Sequence, residues 1–297
     1  MNKIKPLLGL MVIFACVMAT CTGLPNDKNE PLTVSVSILP EKYFVERIGG
    51  ERVSVNVMVG PGDSPHSYEP KPAQMAALSR SLLYFRIGVE FENAWMDRIA
   101  TVNPSMQIID LSEGIEKIPM AEHYNQENKQ DEENEHGALD PHIWTSPNLV
   151  RSMAERIYQA LSKIDQQHDS EYKANLDAFL DEISSLDSDI RQALENLPTR
   201  KFMVFHPAWA YFAADYGLEQ IPVEIGGTEP SAAELADLIT LAKGENIRII
   251  FAQPEFSTQT AQYIAEEIGG QVVLISPLAE DWLENLRTVA LTLAELL

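Results

Sequence analysis

Residues 168 to 197, HDSEYKANLDAFLDEISSLDSDIRQALENL, run for thirty positions without glycine or proline, and Pro198 ends the run. At 1.5 Å per residue the pattern predicts a single helix of about 45 Å, long enough to pass along a whole small domain. On either side of it the periodicity changes. LTVSVSILP (32–40) and RVSVNVMVG (52–60) alternate as strands around the helical EKYFVERIGG (41–50), which Gly49 and Gly50 stop. A helical stretch at 73–81 and short apolar runs at 82–88 and 106–112 continue the alternation. After the long helix the pattern repeats, with KFMVFH (201–206), RIIFAQP (248–254) and QVVLISP (271–277) separated by helical stretches at 231–244 and 257–270. Alternation of this kind implies parallel sheets covered by helices. The expectation is an α/β fold of two (β/α) lobes joined by one long helix, with lobes at 31–165 and 198–297 and the connector at 166–197.

The ends and the charge limit what such a body can do. Lys3 and Lys5 precede an apolar run from Pro6 to Ala19, the charge order and length of a secretory signal rather than of a spanning helix. Residues 1–30 therefore read as a signal followed by a polar tether, and the mature chain as extracytoplasmic. Both cysteines, Cys16 and Cys21, lie in or beside that run, so a chain starting at Cys21 has no internal disulfide. The segment around Cys21 resembles a lipoprotein signal, with Met18 and Thr20 departing from its usual residues; this implies lipidation at Cys21. A formal net charge of −22 argues against nucleic acid as a partner, because phosphate recognition runs on Lys and Arg.

The chain has six histidines. His66 lies in GPGDSPHSYEP (60–70), where Pro61, Pro65 and Pro70 stiffen the backbone. His142 lies in DPHIW, just before a helix that Ser146 caps. His206 closes an apolar strand, the place where ligand sites of open α/β sheets collect. Gaps of 76 and 64 residues between these three exclude a compact finger or a two-histidine helix, so any shared site must form between the lobes. Three imidazoles and a fourth position would suit zinc. His168 reads as a surface residue. AEHYNQENKQDEENEHG (121–137) is acidic, lacks apolar periodicity and carries His123 and His136, which suggests a loop.

Five motifs in order, GPGDSPHSYEPKPAQ, DPHIWTSPN, FHPAWAYFAADYGL, GGTEPSAAEL and SPLAEDWLENL, span 60 to 286. Together they resemble the metal-binding receptors of bacterial and archaeal ABC transporters for zinc and manganese, the ZnuA-like group. The resemblance implies two lobes, a metal in the cleft between them, delivery to a permease driven by an ATPase, and ligands at His66, His142 and His206. A histidine at 206, where manganese-type relatives carry glutamate, favours Zn2+ over Mn2+. The family's usual fourth ligand is an aspartate in a DPL motif, but this chain reads ISPL. That leaves the fourth position among Ser276, water and a supplementary His136, with Asp140 and Glu69 as nearby carboxylates that could offset the cation's charge.

The expected protein is a monomeric periplasmic or membrane-anchored receptor, touching the membrane only through the lipid, and not an enzyme. Three alternatives stand beside it: a manganese or iron receptor, a surface adhesin, and a three-histidine zinc hydrolase. No HExxH, GxSxG or GxGxxG motif supports the hydrolase. A rigid connector implies little lobe motion, and Trp144 and Trp209 are expected to shield the cleft.

Overall fold

The alternating segment at the start of the body forms β1 (Leu32–Val36), and α1 (Leu39–Gly49) returns the chain to β2 (Val53–Val57), parallel to β1. Gly50 makes the turn at φ +54°, a region that side-chain-bearing residues avoid. A computed structural model describes residues 30–120, 139–224 and 228–297. The first lobe continues through α2 (Pro72–Leu78), β3 (Leu83–Arg86), α3 (Glu90–Val102) and β4 (Gln107–Asp110), giving a parallel sheet of order β2-β1-β3-β4. Two helices follow, α4 (Pro147–Ile164) and α5 (Asp169–Ala193).

The second lobe repeats the topology. Strands β5 (Lys201–Val204), β6 (Glu219–Pro222), β7 (Ile249–Ala252) and β8 (Gln271–Leu274) pair in parallel in the order β6-β5-β7-β8. They alternate with α6 (Ala210–Tyr216), α7 (Ala232–Gly244) and α8 (Gln259–Ile268), and α9 (Trp282–Leu296) closes the chain. A capping box opens α7: the Glu234 amide donates to Ser231 Oγ, and the Ser231 amide to Glu234 Oε2 at 2.7 Å. In each sheet the chain crosses from one side of its first strand to the other. Such switch points leave a crevice at the strands' carboxyl ends.

Four elements are absent from the expectations above: α3, α6, β6 and α9. The strand β6 is four residues long and ends in Pro222, which is tolerated because β6 is an edge strand. The connector α5 has 25 residues, about 37 Å rather than 45 Å. At its start Asp165 accepts the Tyr172 hydroxyl (2.6 Å) and pairs with His168 Nδ1 (2.7 Å), fixing a separate 3-10 turn, Gln166–His168. At its end Arg200 donates to the Glu195 carbonyl, turning the chain toward β5.

The helix α5 is more than a strut. One apolar core runs from β1 and β3 through α1, α4, α5 and α9 to Phe202, Val204 and Phe251 of the second sheet, whose other face has its own core around Met203, Ile221 and Ile250. Sliding one lobe against the other would break this shared packing, which protein interiors resist. Scattering on metal-free and metal-loaded protein is therefore expected to give radii of gyration that agree within about 0.5 Å for a body of this size; a contraction of several ångströms would show that the shared core opens. No helix among the described residues is long and apolar enough to cross a membrane.

Candidate metal centre

His66 enters the site on the loop after β2. The loop is tied down at several points: the Phe91 amide donates to the Pro65 carbonyl (3.1 Å), Tyr68 donates to Gln74, and Gln74 donates to the Val57 carbonyl at the strand end. The Tyr68 ring meets Phe91 edge-on at 5.6 Å. The stiffness expected from the prolines is thus completed by side chains. His142 is held by Asp140, whose Oδ1 accepts from the His142 amide (2.8 Å) and pairs with His142 Nδ1 (2.7 Å). Tyr211 of α6 donates to the Asp140 carbonyl, so the second lobe helps to hold a ligand of the first. Ser146 caps α4 directly behind, accepting from the Leu149 amide.

His206 follows β5 at the carboxyl edge of the second sheet. Gln253 clamps its backbone from both sides, accepting from the His206 amide (3.2 Å) and donating to its carbonyl (2.7 Å). Phe256 stacks on the imidazole, with ring centroids 4.8 Å apart and planes 20° apart.

The three rings converge. His206 Nε2 lies 3.0 Å from His66 Nε2 and 3.3 Å from His142 Nε2, and the three rings offer ligand atoms that all lie within 4.8 Å of one another. Two nitrogens on one tetrahedral zinc stand about 3.3 Å apart, given Zn–N bonds of about 2.0–2.1 Å. Each Nδ1 faces a carboxylate: Glu90 behind His66 (3.1 Å), Asp140 behind His142 (2.7 Å) and Glu224 behind His206 (2.5 Å). A carboxylate at Nδ1 fixes the ring and leaves the Nε2 lone pair as the ligand. Three such lone pairs at this spacing repel unless a cation or a proton lies among them.

Electrostatics prepares the site for a cation. Burial lowers the His206 pKa to about 4; Glu224 opposes the shift, and the neighbouring His142 and His66 add to it. Burial would raise the Glu90 pKa, but its hydrogen bond to His66 and the charge of that ring bring it down to about 2. The space among the rings is closed by Trp144, Phe256, Pro277 and Leu278 and leaves about 10 Å³ for the centre of a water-sized sphere. That is room for a single ion or water. His66 is the most exposed of the three, so the open side is there.

The remaining candidates fall elsewhere. Ser276 does not line the histidine cavity: its hydroxyl donates to Glu255 Oε1 (2.8 Å) and accepts from the Leu278 amide (3.1 Å). Of the two carboxylates considered near the ligands, Asp140 is in contact and Glu69 is exposed. Trp144 lines the cavity, whereas Trp209 packs on Phe212 and does not. Cys21 and His136 lie outside the described residues, as do His123 and the whole acidic loop 121–137. Glu90, Glu224 and Glu255 were not found from the sequence. The usable signal was an acid just past the carboxyl end of a strand, in PVEIGG and QPEFS.

The model of the family described as the zinc-uptake complex component A, periplasmic, matches residues 34–296. The chain belongs to this family. It is a family of solute-binding receptors. The high-affinity zinc uptake system protein ZnuA of Bacillus subtilis is 28% identical over 284 residues, covering 91% of this chain and 88% of that protein. A crystal structure of a ZnuA is 44% identical, with a TM-score of 0.83, covering 90% of this chain and 99% of that one. The zinc-binding lipoprotein AdcA of Streptococcus pneumoniae is 25% identical, and the match covers 94% of this chain but 56% of that longer protein. The two-lobed α/β architecture read from the sequence is the family's own.

Proposed function

We propose that the protein is an extracytoplasmic receptor that captures Zn2+ on His66, His142 and His206 and hands it to an ABC permease coupled to an ATPase. The observation that carries this reading is the convergence of three Nε2 atoms, each ring backed by a carboxylate. An all-imidazole donor set suits zinc better than manganese, which prefers hard oxygen. A cavity with room for one ion among three imidazoles suits a carrier of a single cation. The lipoprotein AdcA among the relatives supports anchoring through Cys21, with the body working as a monomer near the membrane.

The test is metal stoichiometry and chelator-competed zinc affinity of the mature protein, beside zinc-limited growth of a strain lacking it. One tight zinc and a growth defect rescued by added zinc are expected; normal zinc-limited growth would overturn the transport role. The backing carboxylates are expected to matter separately. Glu224→Gln should weaken zinc by about 10- to 100-fold while keeping one site, the usual effect of losing a ligand's outer partner. Unchanged affinity in the same titration would mean that Glu224 does not orient His206.

A further inference from the structure

The three histidines leave the fourth position of a tetrahedral cation open, and Ser276, bonded to Glu255 and to the Leu278 amide, does not line their cavity. Four carboxylates stand around the site, and three are committed behind the rings at Nδ1. A group hydrogen-bonded at Nδ1 lies on the far side of the imidazole from Nε2, so Glu90, Asp140 and Glu224 each have one oxygen engaged in holding a ring, although Glu90 also lines the cavity. Glu255 is the fourth, and it is bound to no ring.

Its surroundings aim it. Glu255 lies in the turn after β7, between Gln253, which clamps the His206 backbone, and Phe256, which stacks on the His206 ring. Ser276 donates its hydroxyl to Glu255 Oε1, and because the same hydroxyl accepts the Leu278 amide, its proton is directed at the carboxylate. The second oxygen, Oε2, is buried and has no hydrogen-bond partner; Glu90 Oε2 and Asp140 Oδ2 share that state, but their carboxylates already hold a ring through the other oxygen, whereas that of Glu255 holds none. A buried carboxylate oxygen without a partner is costly, which implies a donor or cation not present in the protein itself. Glu255 lines the histidine cavity together with Pro277 and Leu278, and it also lines the adjoining 220 Å³ cavity that contains Asp63 and Glu280.

We propose that Glu255, steered by Ser276, is the carboxylate that serves the fourth coordination position of the bound cation. The inference rests on the three-histidine reading above. Glu255 is not one of the groups whose ligand atoms lie within 4.8 Å of one another, so its contact runs through one cation-bound water. The water occupies the fourth position of a three-histidine zinc, and Glu255 Oε2 accepts its proton in a hydrogen bond. Ser276 thereby acts on the metal through Glu255 without being a ligand.

The experiment compares the full mature chain with Glu255→Gln, Ser276→Ala, the double variant and His66→Ala. Each is titrated with zinc against a chelator and loaded with Co2+ to read the visible spectrum, whose intensity and position report the coordination sphere. Thermal midpoints of the metal-free forms check the fold. Glu255→Gln keeps the shape and the Ser276 bond but presents a donor to the water. It is expected to bind one zinc about tenfold or more weakly, with a shifted Co2+ spectrum and an unchanged metal-free midpoint. Ser276→Ala should weaken zinc less. The double variant should match Glu255→Gln, because the serine acts only through the glutamate. Wild-type affinity and spectrum in Glu255→Gln, or additive losses in the double variant, would overturn the proposal while zinc loss in His66→Ala upheld the histidine site. Wild-type binding in His66→Ala would overturn both.

Discussion

His206→Ala is expected to weaken zinc binding by well over a hundredfold, since loss of a mere outer partner already costs about 10- to 100-fold. The ring is the second lobe's contribution to the three nitrogens, and its Nε2 lies within 3.3 Å of both others. Burial holds its pKa near 4, against Glu224 and with help from His142 and His66, so at neutral pH it meets the cation without first losing a proton. Truncation leaves two nitrogens, strands the buried Glu224 and removes the partner on which Phe256 stacks. His206→Glu should lose less and shift preference toward manganese, because a hard oxygen replaces a nitrogen. His168→Ala serves as the control, since His168 bonds only to Asp165 at the start of α5 and should bind like wild type. Chelator competition with zinc and manganese decides the matter; wild-type affinity in His206→Ala would remove this ring from the site.

Trp282→Ala should produce the largest loss of stability, about 3–5 kcal/mol, the range for emptying a large aromatic site in a core. Trp282 is 1% exposed and meets Phe44 edge-on at 5.1 Å, with Tyr43 and Phe179 at 6.4 and 6.3 Å. Its indole N–H donates to the Trp144 carbonyl, and the Trp144 indole donates to the Pro277 carbonyl. The change therefore opens a cavity where α1, α5 and α9 meet and leaves a buried carbonyl unpaired. A thermal midpoint lower by roughly 10 °C is expected for metal-free protein, at about 2–4 °C per kcal/mol in a body of this size. Zinc should recover part of the loss, because a ligand that binds only the folded state stabilises it by mass action. A midpoint within about 3 °C of wild type would mean that the aromatic cluster is not shared between the lobes.

The elements legible in the sequence were those whose burial is periodic. The strand β1 reads as LTVSV, and α7 announces itself by Ser231 and Glu234. The helix α9 lies outside those expectations although WLENLRTVALTLAEL is amphipathic and Asp281 caps it, accepting from the Glu284 amide. The connector was overestimated by its last turn, because within Leu194–Leu197 only Leu197, which precedes Pro198, is disfavoured in helix by local chemistry. What ends it is a turn held by Arg200, which donates to the Glu195 carbonyl five residues back and to the Tyr216 carbonyl at the end of α6.

For the site, the sequence by itself determined the candidate donors. Three histidines, each beside a proline or at a strand end, together with five ordered motifs, were enough to indicate which side chains could share a cation and in what kind of fold. Only the tertiary structure decided what surrounds them. Glu90 stands 24 residues from His66, Glu224 stands 18 from His206, and Glu255 stands 21 from Ser276, and no local period links any of these pairs. Their positions follow from parallel sheets whose strands end at one crevice, which brings loops from distant parts of the chain together. Hydrogen-bond geometry then determines which carboxylate turns to Nδ1 and which stays free. A periodic signal carries burial, whereas orientation within a crevice depends on contacts that exist only once both lobes have packed.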